Sequence, residues 1–229
     1  MSDGISRRSF IGSAGIVAAT GVVGSAVAEG SKEPLTVLGI ACSHRKGKTT
    51  ASALKVCLEE AEKVSDRIKG ELIDLADLKI PARLAAGVPL EEGEKDDFPD
   101  LIPRIESPNT IGLIIGTPVY FGNMSALCKS FLERCIAFRK NNFSLSGKVA
   151  GVLAVGGNRN GGQELTIRSV QAALMSHQVI LVGDGLPTAH WGGTLWNMSD
   201  DDISQDEIGL ATAKNLGRRV AEVALNTRE

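Results

Sequence analysis

The feature that most constrains this chain is the alternation of short, nearly unbroken apolar runs with segments of helical period. Leu35–Ile40, Ile111–Gly116 and Val149–Val155 are almost wholly apolar, without the in–out alternation of a strand that has one wet face. Strands of that composition are buried on both faces, as in a parallel sheet covered by helices. Between them lie helical stripes. Thr50–Lys63 carries Leu54, Cys57, Leu58 and Ala61 on one face, and Ser125–Phe138 carries Leu127, Cys128, Phe131, Leu132 and Cys135. Gln163–Ser176 and Gln205–Leu225 read as further helices, and Asp97-Phe98-Pro99 opens a short one over Asp100–Ile105. Glu71–Leu75 is a weaker second strand and Val179–Val182 a fifth. The pattern predicts an α/β three-layer sandwich with a five-stranded parallel sheet in the order 2-1-3-4-5 and right-handed crossovers. Two stretches, Lys79–Lys95 and Leu186–Ser204, are longer than ordinary connections.

The first 28 residues read as an address. Arg7-Arg8 directly precede a mildly apolar run, Ile11–Val27, which ends in the small-x-small pattern Ala26-Val27-Ala28. This resembles a twin-arginine signal, which exports folded proteins. The expectation is a periplasmic protein with one domain over 29–229; an uncleaved signal anchored in the inner membrane is the alternative. Folded export makes sense for a protein that takes up a cofactor first. The four cysteines form no disulfide framework. Cys128 and Cys135 stand seven apart on one predicted helix, about 10 Å along its axis, too far to bridge. No CxxC occurs and the three histidines are scattered, so no metal is expected. A net charge of −2 and a pI near 6.0 give no nucleic-acid signature.

In an open parallel sheet, ligands bind outside the carboxyl ends of the strands. After strand one comes Cys42-Ser43-His44-Arg45-Lys46-Gly47-Lys48-Thr49-Thr50, which offers hydroxyls, cations and helix-start amides to a phosphate. Gly47-Lys48-Thr49 is no nucleotide P-loop, because Cys42 stands where that motif needs glycine. After strand three comes Thr117-Pro118-Val119-Tyr120-Phe121-Gly122-Asn123-Met124, with the only tyrosine of the chain, suited to the edge and face of a planar ring. After strand four comes Gly156-Gly157-Asn158-Arg159-Asn160-Gly161-Gly162-Gln163, whose glycines let backbone approach a ligand but lack the GxGxxG spacing.

Together these three loops resemble the flavin mononucleotide (FMN) loops of the NADPH-dependent FMN reductase superfamily. Its nearest branches here are the iron–sulfur flavoproteins and the tryptophan-repressor-binding-type quinone reductases. The likeness extends to His190-Trp191-Gly192-Gly193-Thr194-Leu195. It implies a flavodoxin-like fold in which Ser43, Arg45, Lys46, Thr49 and Thr50 hold the phosphate. It further implies that Pro118, Val119, Tyr120, Phe121, Gly122 and Asn123 line the isoalloxazine. Gly156, Gly157, Asn158, Arg159, Gly161 and Gly162 would meet its pyrimidine side. His44 stands where the family commonly has proline, and Thr49 where it often has asparagine. Iron–sulfur flavoproteins carry a cysteine cluster in the region of Lys79–Lys95, and this chain has no cysteine there, so no iron–sulfur cluster is expected.

The implied activity is hydride transfer from NAD(P)H to FMN, then reduction of a quinone or other small-molecule acceptor. Tyr120 and His190 are the candidate catalytic residues near the ring; the resemblance to oligomeric relatives implies that His190 reaches a neighbouring subunit's flavin, and packing of the Trp191 loop is its other role. Export complicates the donor, since NAD(P)H is not expected outside the inner membrane. A flavin electron-transfer protein fed by a redox partner protein, and a non-catalytic scaffold, are the competing expectations. Trp191 and Trp196, both read as lying in the loop after strand five, point to a homodimer or homotetramer contact or to a lid.

Overall fold

The computed structural model describes residues 33–198 and 200–228; the predicted signal over 1–28 lies outside them. Strands β1 (Leu35–Ala41), β2 (Ile68–Asp74), β3 (Thr110–Pro118), β4 (Val149–Gly156) and β5 (Ile180–Leu181) form a parallel sheet in the order β2-β1-β3-β4-β5. β3 and β4 are buried at nearly every position, which is why their sequences are apolar without alternation. Helices α1 (Thr49–Glu62) and α6 (Glu207–Asn226) cover one face, packing Leu54, Cys57, Leu58, Leu216 and Val220 over Val37, Ile111, Ile114 and Leu153. Helices α2 (Ile102–Glu106), α3 (Ala126–Arg134) and α5 (Gln163–Met175) cover the other. There Phe98, Ile105, Phe131, Ile167 and Val170 meet Leu38, Ile40, Leu113, Ile115 and Val152. Among the described residues no helix is long and apolar enough to cross a membrane.

Three sequence expectations need correction. The fifth strand is not Val179–Val182. Only Ile180–Leu181 pair there, beside Val149 and Ala150, and the chain then leaves the sheet until β6 (Gly193–Trp196) pairs in parallel with Leu153–Gly156. The fifth position is thus filled by two short strands, and the sheet has six. The return requires Gly192, because a Cβ there would collide with the carbonyl oxygen of Val152. Trp196 accordingly ends a strand, while Trp191 lies in the excursion before it. The predicted helix over Ser125–Phe138 breaks at Cys135 into α3 and α4 (Ile136–Lys140). There the Phe138 N–H bonds the Cys135 carbonyl at 3.0 Å, a tighter turn that sends Phe138 into the core, 5.9 Å from the ring of Phe98.

The stretch over Lys79–Lys95 stays outside the sheet and is tied down from α3. Arg134 reaches back to Asp96 with two parallel hydrogen bonds of 2.7 and 2.8 Å, and its guanidinium lies 4.8 Å over the Phe98 ring. All four cysteines are free and buried. The Cys42 thiol is pushed well above its ordinary value by burial, then by its hydrogen-bonded neighbour Cys128.

Candidate functional site

The loops that follow β1, β3 and β4 meet at the carboxyl edge of the sheet, joined by hydrogen bonds. Val119 N–H donates to Val155 O at 2.9 Å, tying the third loop to β4. Ser125, the N-cap of α3, donates its hydroxyl to the Cys42 carbonyl at 2.6 Å and so ties the end of β1 to the start of α3. Ser169 on α5 donates to Asn123 Oδ1 at 2.9 Å. The edge is one surface rather than three independent loops.

At the first loop, Ser43 Oγ accepts the Arg45 N–H at 3.1 Å, and Gly47 turns the chain through φ +66° into α1. The N-cap position, Lys48, supplies no side-chain hydrogen bond. The first-turn amides of α1 therefore carry the partial positive charge of an uncapped helix start. Thr49 and Thr50 are buried beside them, and Arg45, Lys46 and Lys48 surround them. The donor set matches a phosphate monoester. Acidic side chains also reach this loop. Asp201 pairs with Arg45 and lies 3.9 Å from Lys48 Nζ, Asp77 pairs with Lys46, and Asp74 accepts the Gly47 N–H at 2.9 Å. The Asp201 hydrogen bond raises the Arg45 pKa, and Tyr120 across the edge adds to it.

At the third loop, Tyr120 and Asn123 close a two-residue turn by mutual backbone hydrogen bonds of 2.8 and 3.0 Å. Tyr120 is 47% exposed and Phe121 fully exposed, at a positive φ of 51°. Two adjacent aromatics left in solvent at this sheet edge suit the face of a planar ring. At the fourth loop, Gln163 organises the glycines. Its amide donates to Asn158 O at 2.6 Å and Leu195 O at 3.1 Å, and its carbonyl accepts the Gly161 N–H at 2.9 Å. A Cβ on Gly156 would stand 2.5 Å from that amide, and one on Gly161 2.9 Å from Asn158 O, so the backbone itself shapes this wall. Arg159 spends its charge on Asp206, which is buried, accepts the Trp196 N–H at 2.7 Å and caps α6. Burial lowers the Arg159 pKa.

Tyr120 thus belongs to the edge with Ser43, Arg45, Lys46, Thr49, Thr50, Pro118, Val119, Phe121, Gly122, Asn123 and the glycine loop. His190 reaches the glycine-loop side of this edge from a different element. It lies in the excursion between β5 and β6, with Nδ1 3.6 Å from the buried carboxylate of Asp184, and lines a cavity of about 410 Å³ with Arg159, Gly162, Leu165 and Thr194. Asp201, Asp77, Asp74 and Asp184 were missing from the sequence reading. They come from distant parts of the chain, and no local spacing announces them.

The edge, the order of strands and the phosphate-type loop define a flavodoxin-like α/β protein. The solved structures agree on that fold. A flavodoxin-type WrbA-like protein from Agrobacterium tumefaciens superposes with a TM-score of 0.57 at 20% identity over 85% of this chain and 99% of its own. A Trp repressor binding protein from Bacillus subtilis gives 0.51 at 23% over 80% and 98%. The chain belongs to the NADPH-dependent FMN reductase family, whose model matches residues 35–192. A relative from Methanocaldococcus jannaschii, named an iron–sulfur flavoprotein, is 40% identical over 196 residues, covering 82% of this chain and 97% of its own. One from Methanosarcina thermophila with the same name is 29% identical, over 82% and 95%. In this chain, no group of three or more His, Cys, Asp or Glu side chains among the described residues could hold a metal ion. The class is an NAD(P)H-dependent FMN reductase, and the donors at the carboxyl edge suit FMN.

Proposed function

We propose that this chain is an exported FMN reductase that passes electrons from NAD(P)H through FMN to a quinone or another small acceptor. The observation that carries the reading is the convergence, at one sheet edge, of an uncapped cation-flanked helix start, an exposed aromatic pair and a glycine-built wall. Ser43, Arg45, Lys46, Thr49 and Thr50 take the phosphate. Pro118, Val119, Tyr120, Phe121, Gly122 and Asn123 line one side of the ring. Gly156, Gly157, Asn158, Gly161 and Gly162 meet its pyrimidine side, with Arg159 bracing their loop through Asp206. Bound FMN supplies two-electron chemistry, and the protein binds, orients and tunes it. Tyr120 shields the ring, and His190, backed by Asp184, handles a proton at its exposed edge. Leu165 and Ile208, both largely exposed, line the His190 cavity, and the exposed Trp191 lies on the other side of His190, which supports assembly as a homodimer or homotetramer through that face.

The Arg7-Arg8 leader supports a periplasmic destination by the twin-arginine route, with an uncleaved inner-membrane anchor as the variant. It also favours a second reading, in which a redox partner protein feeds the flavin in a compartment without nicotinamides. One experiment separates the two: absorption spectra of the purified protein before and after anaerobic NADPH. Flavin bands that bleach with NADPH support the reductase. Bands that ignore NADPH and NADH but bleach with dithionite transfer support to the partner-fed carrier. A protein that neither carries nor takes up FMN refutes both. Fractionation with N-terminal sequencing tests the export, and turnover with a soluble quinone tests the acceptor.

A further inference from the structure

We propose that Asp201 is a specificity-determining residue that competes with the flavin phosphate for Arg45 and Lys48, and so sets how strongly the site prefers FMN to riboflavin. The inference rests on the FMN reading above and deepens it.

Asp201 reaches the phosphate loop from the far end of the sequence, out of the turn that follows β6. That turn is held by hydrogen bonds from Asp200 N–H and Asp202 N–H to Asn197 O, at 3.1 and 3.3 Å. The Asp201 backbone sits at φ +59°, a left-handed conformation uncommon for residues other than glycine, though Asp tolerates it better than most. This conformation aims the carboxylate at the Arg45 guanidinium and brings it 3.9 Å from Lys48 Nζ. The Arg45 hydrogen bond holds the Asp201 carboxyl below the usual carboxylate range, so the group stays charged near neutrality.

A guanidinium presents its N–H donors as a planar fork that takes a carboxylate or a phosphate along the same edge. The two anions therefore contend for one donor set, and a phosphate carrying close to two charges also repels Asp201 directly. The other acids of the loop do different work. Asp74 accepts two backbone amides, from Gly47 and Ala76, and shapes the turn. Asp77 and Lys46 are a pair two-thirds exposed on each side, weak by its solvation. Only the phosphate feels the contest, so riboflavin, which has the same ring and ribityl chain without phosphate, is the internal control.

The test is flavin-fluorescence titration of the full-length protein, stripped of flavin, in phosphate-free buffer at low salt, with FMN and riboflavin in parallel. The variants are Asp201→Asn and, as a charge-matched control on the same turn, Asp200→Asn. Asp201→Asn is expected to lower the FMN Kd about fivefold, the scale of an exposed ion pair, and to leave the riboflavin Kd unchanged. The gain should shrink at high salt, and Asp200→Asn should shift neither constant by more than about twofold. An unchanged or weakened FMN Kd in Asp201→Asn overturns the proposal, the weakened case making Asp201 an orienter of Arg45. Equal tightening of riboflavin overturns it too. Failure of wild type and variants alike to bind either flavin removes the FMN reading and this inference together, whereas normal FMN binding without the shift removes only the inference.

Discussion

Replacing Gly217 with alanine sets two effects of opposite sign against each other. In an unstrained helix interior, glycine to alanine stabilises by about 1 kcal/mol, because alanine has less backbone freedom to lose. At Gly217, however, α6 crosses α1 backbone to backbone. An added Cβ would stand 2.6 Å from the carbonyl carbon of Cys57 and closer still to its oxygen. The Cys57 oxygen is the limiting contact, and restoring it to an ordinary 3.4 Å means parting the helices by about 1.5 Å. A gap of about 1 Å already forfeits up to half of the dispersion energy of the contacts it opens. Those contacts join Leu54, Cys57, Leu58 and Ala61 to Ala213, Leu216 and Val220. Overpacking costs about 1–3 kcal/mol, and a collision with rigid backbone belongs at the upper end. The net expectation is a loss of about 2 kcal/mol, or roughly 4–8 °C in Tm for a domain of this size. Thermal unfolding followed by circular dichroism reads it, with Lys214→Ala on the exposed face of α6 as the neutral control. A Tm equal to or above wild type would show that the helices yield freely and would refute the close-packing argument. Because α1 begins at Thr49 and Thr50, the same displacement should also weaken FMN binding.

Three further predictions follow from buried polar groups. Arg134 holds the Asp96 carboxyl below the usual range, so the stability from this pair is present above about pH 4 and is lost as pH falls through the lowered value. Arg134→Met should cost about 3 kcal/mol at neutral pH and flatten the acid limb of a urea-midpoint profile; an unchanged limb would dissociate the pair from acid sensitivity. Burial, with Arg228 nearby, pushes the Lys148 ammonium down to about 8, while in the unfolded chain it titrates near 10.4. Between those values the unfolded state binds the extra proton, so stability should rise with pH, and the rise should vanish in Lys148→Met. Burial also raises the thiols of Cys42, Cys57 and Cys135. The native protein should therefore react negligibly with a thiol reagent and the urea-unfolded protein should expose four equivalents; rapid native labelling would contradict the packing.

The sheet order, the two helical layers and the loop-bearing edge were legible in the sequence, because burial on both faces leaves a strong compositional mark on β1, β3 and β4. What was not legible depended on distant partners. β6 has only Gly193-Thr194-Leu195-Trp196 to advertise it. Its place is fixed from outside: Thr194 N–H donates to Thr212 Oγ1 at 3.0 Å, Trp196 N–H to Asp206, and the Leu195 carbonyl accepts from Gln163. The break at Cys135 was hidden because an apolar stripe continues through it, and the turn is set by where Phe138 must pack. At the candidate site the loops and their cations could be located from strand ends, and the opposing carboxylates could not. His190 was named on resemblance, but its neighbour Asp184 was not, because the burial of that carboxylate has no local signature.

The divided fifth strand has a consequence for the life of the protein among other proteins. A long flat edge strand offers unpaired amides and carbonyls to any passing extended chain and seeds aggregation. Here that border of the sheet is two residues, an excursion outward, and four residues more. The excursion interrupts the ladder before an incoming strand could gain register along it. At the opposite border, β2 presents Lys69 and Glu71, both exposed, which discourages pairing by charge. A sheet whose central strands are almost wholly apolar is thus closed at both ends to indiscriminate growth, by interruption on one side and by solvation on the other.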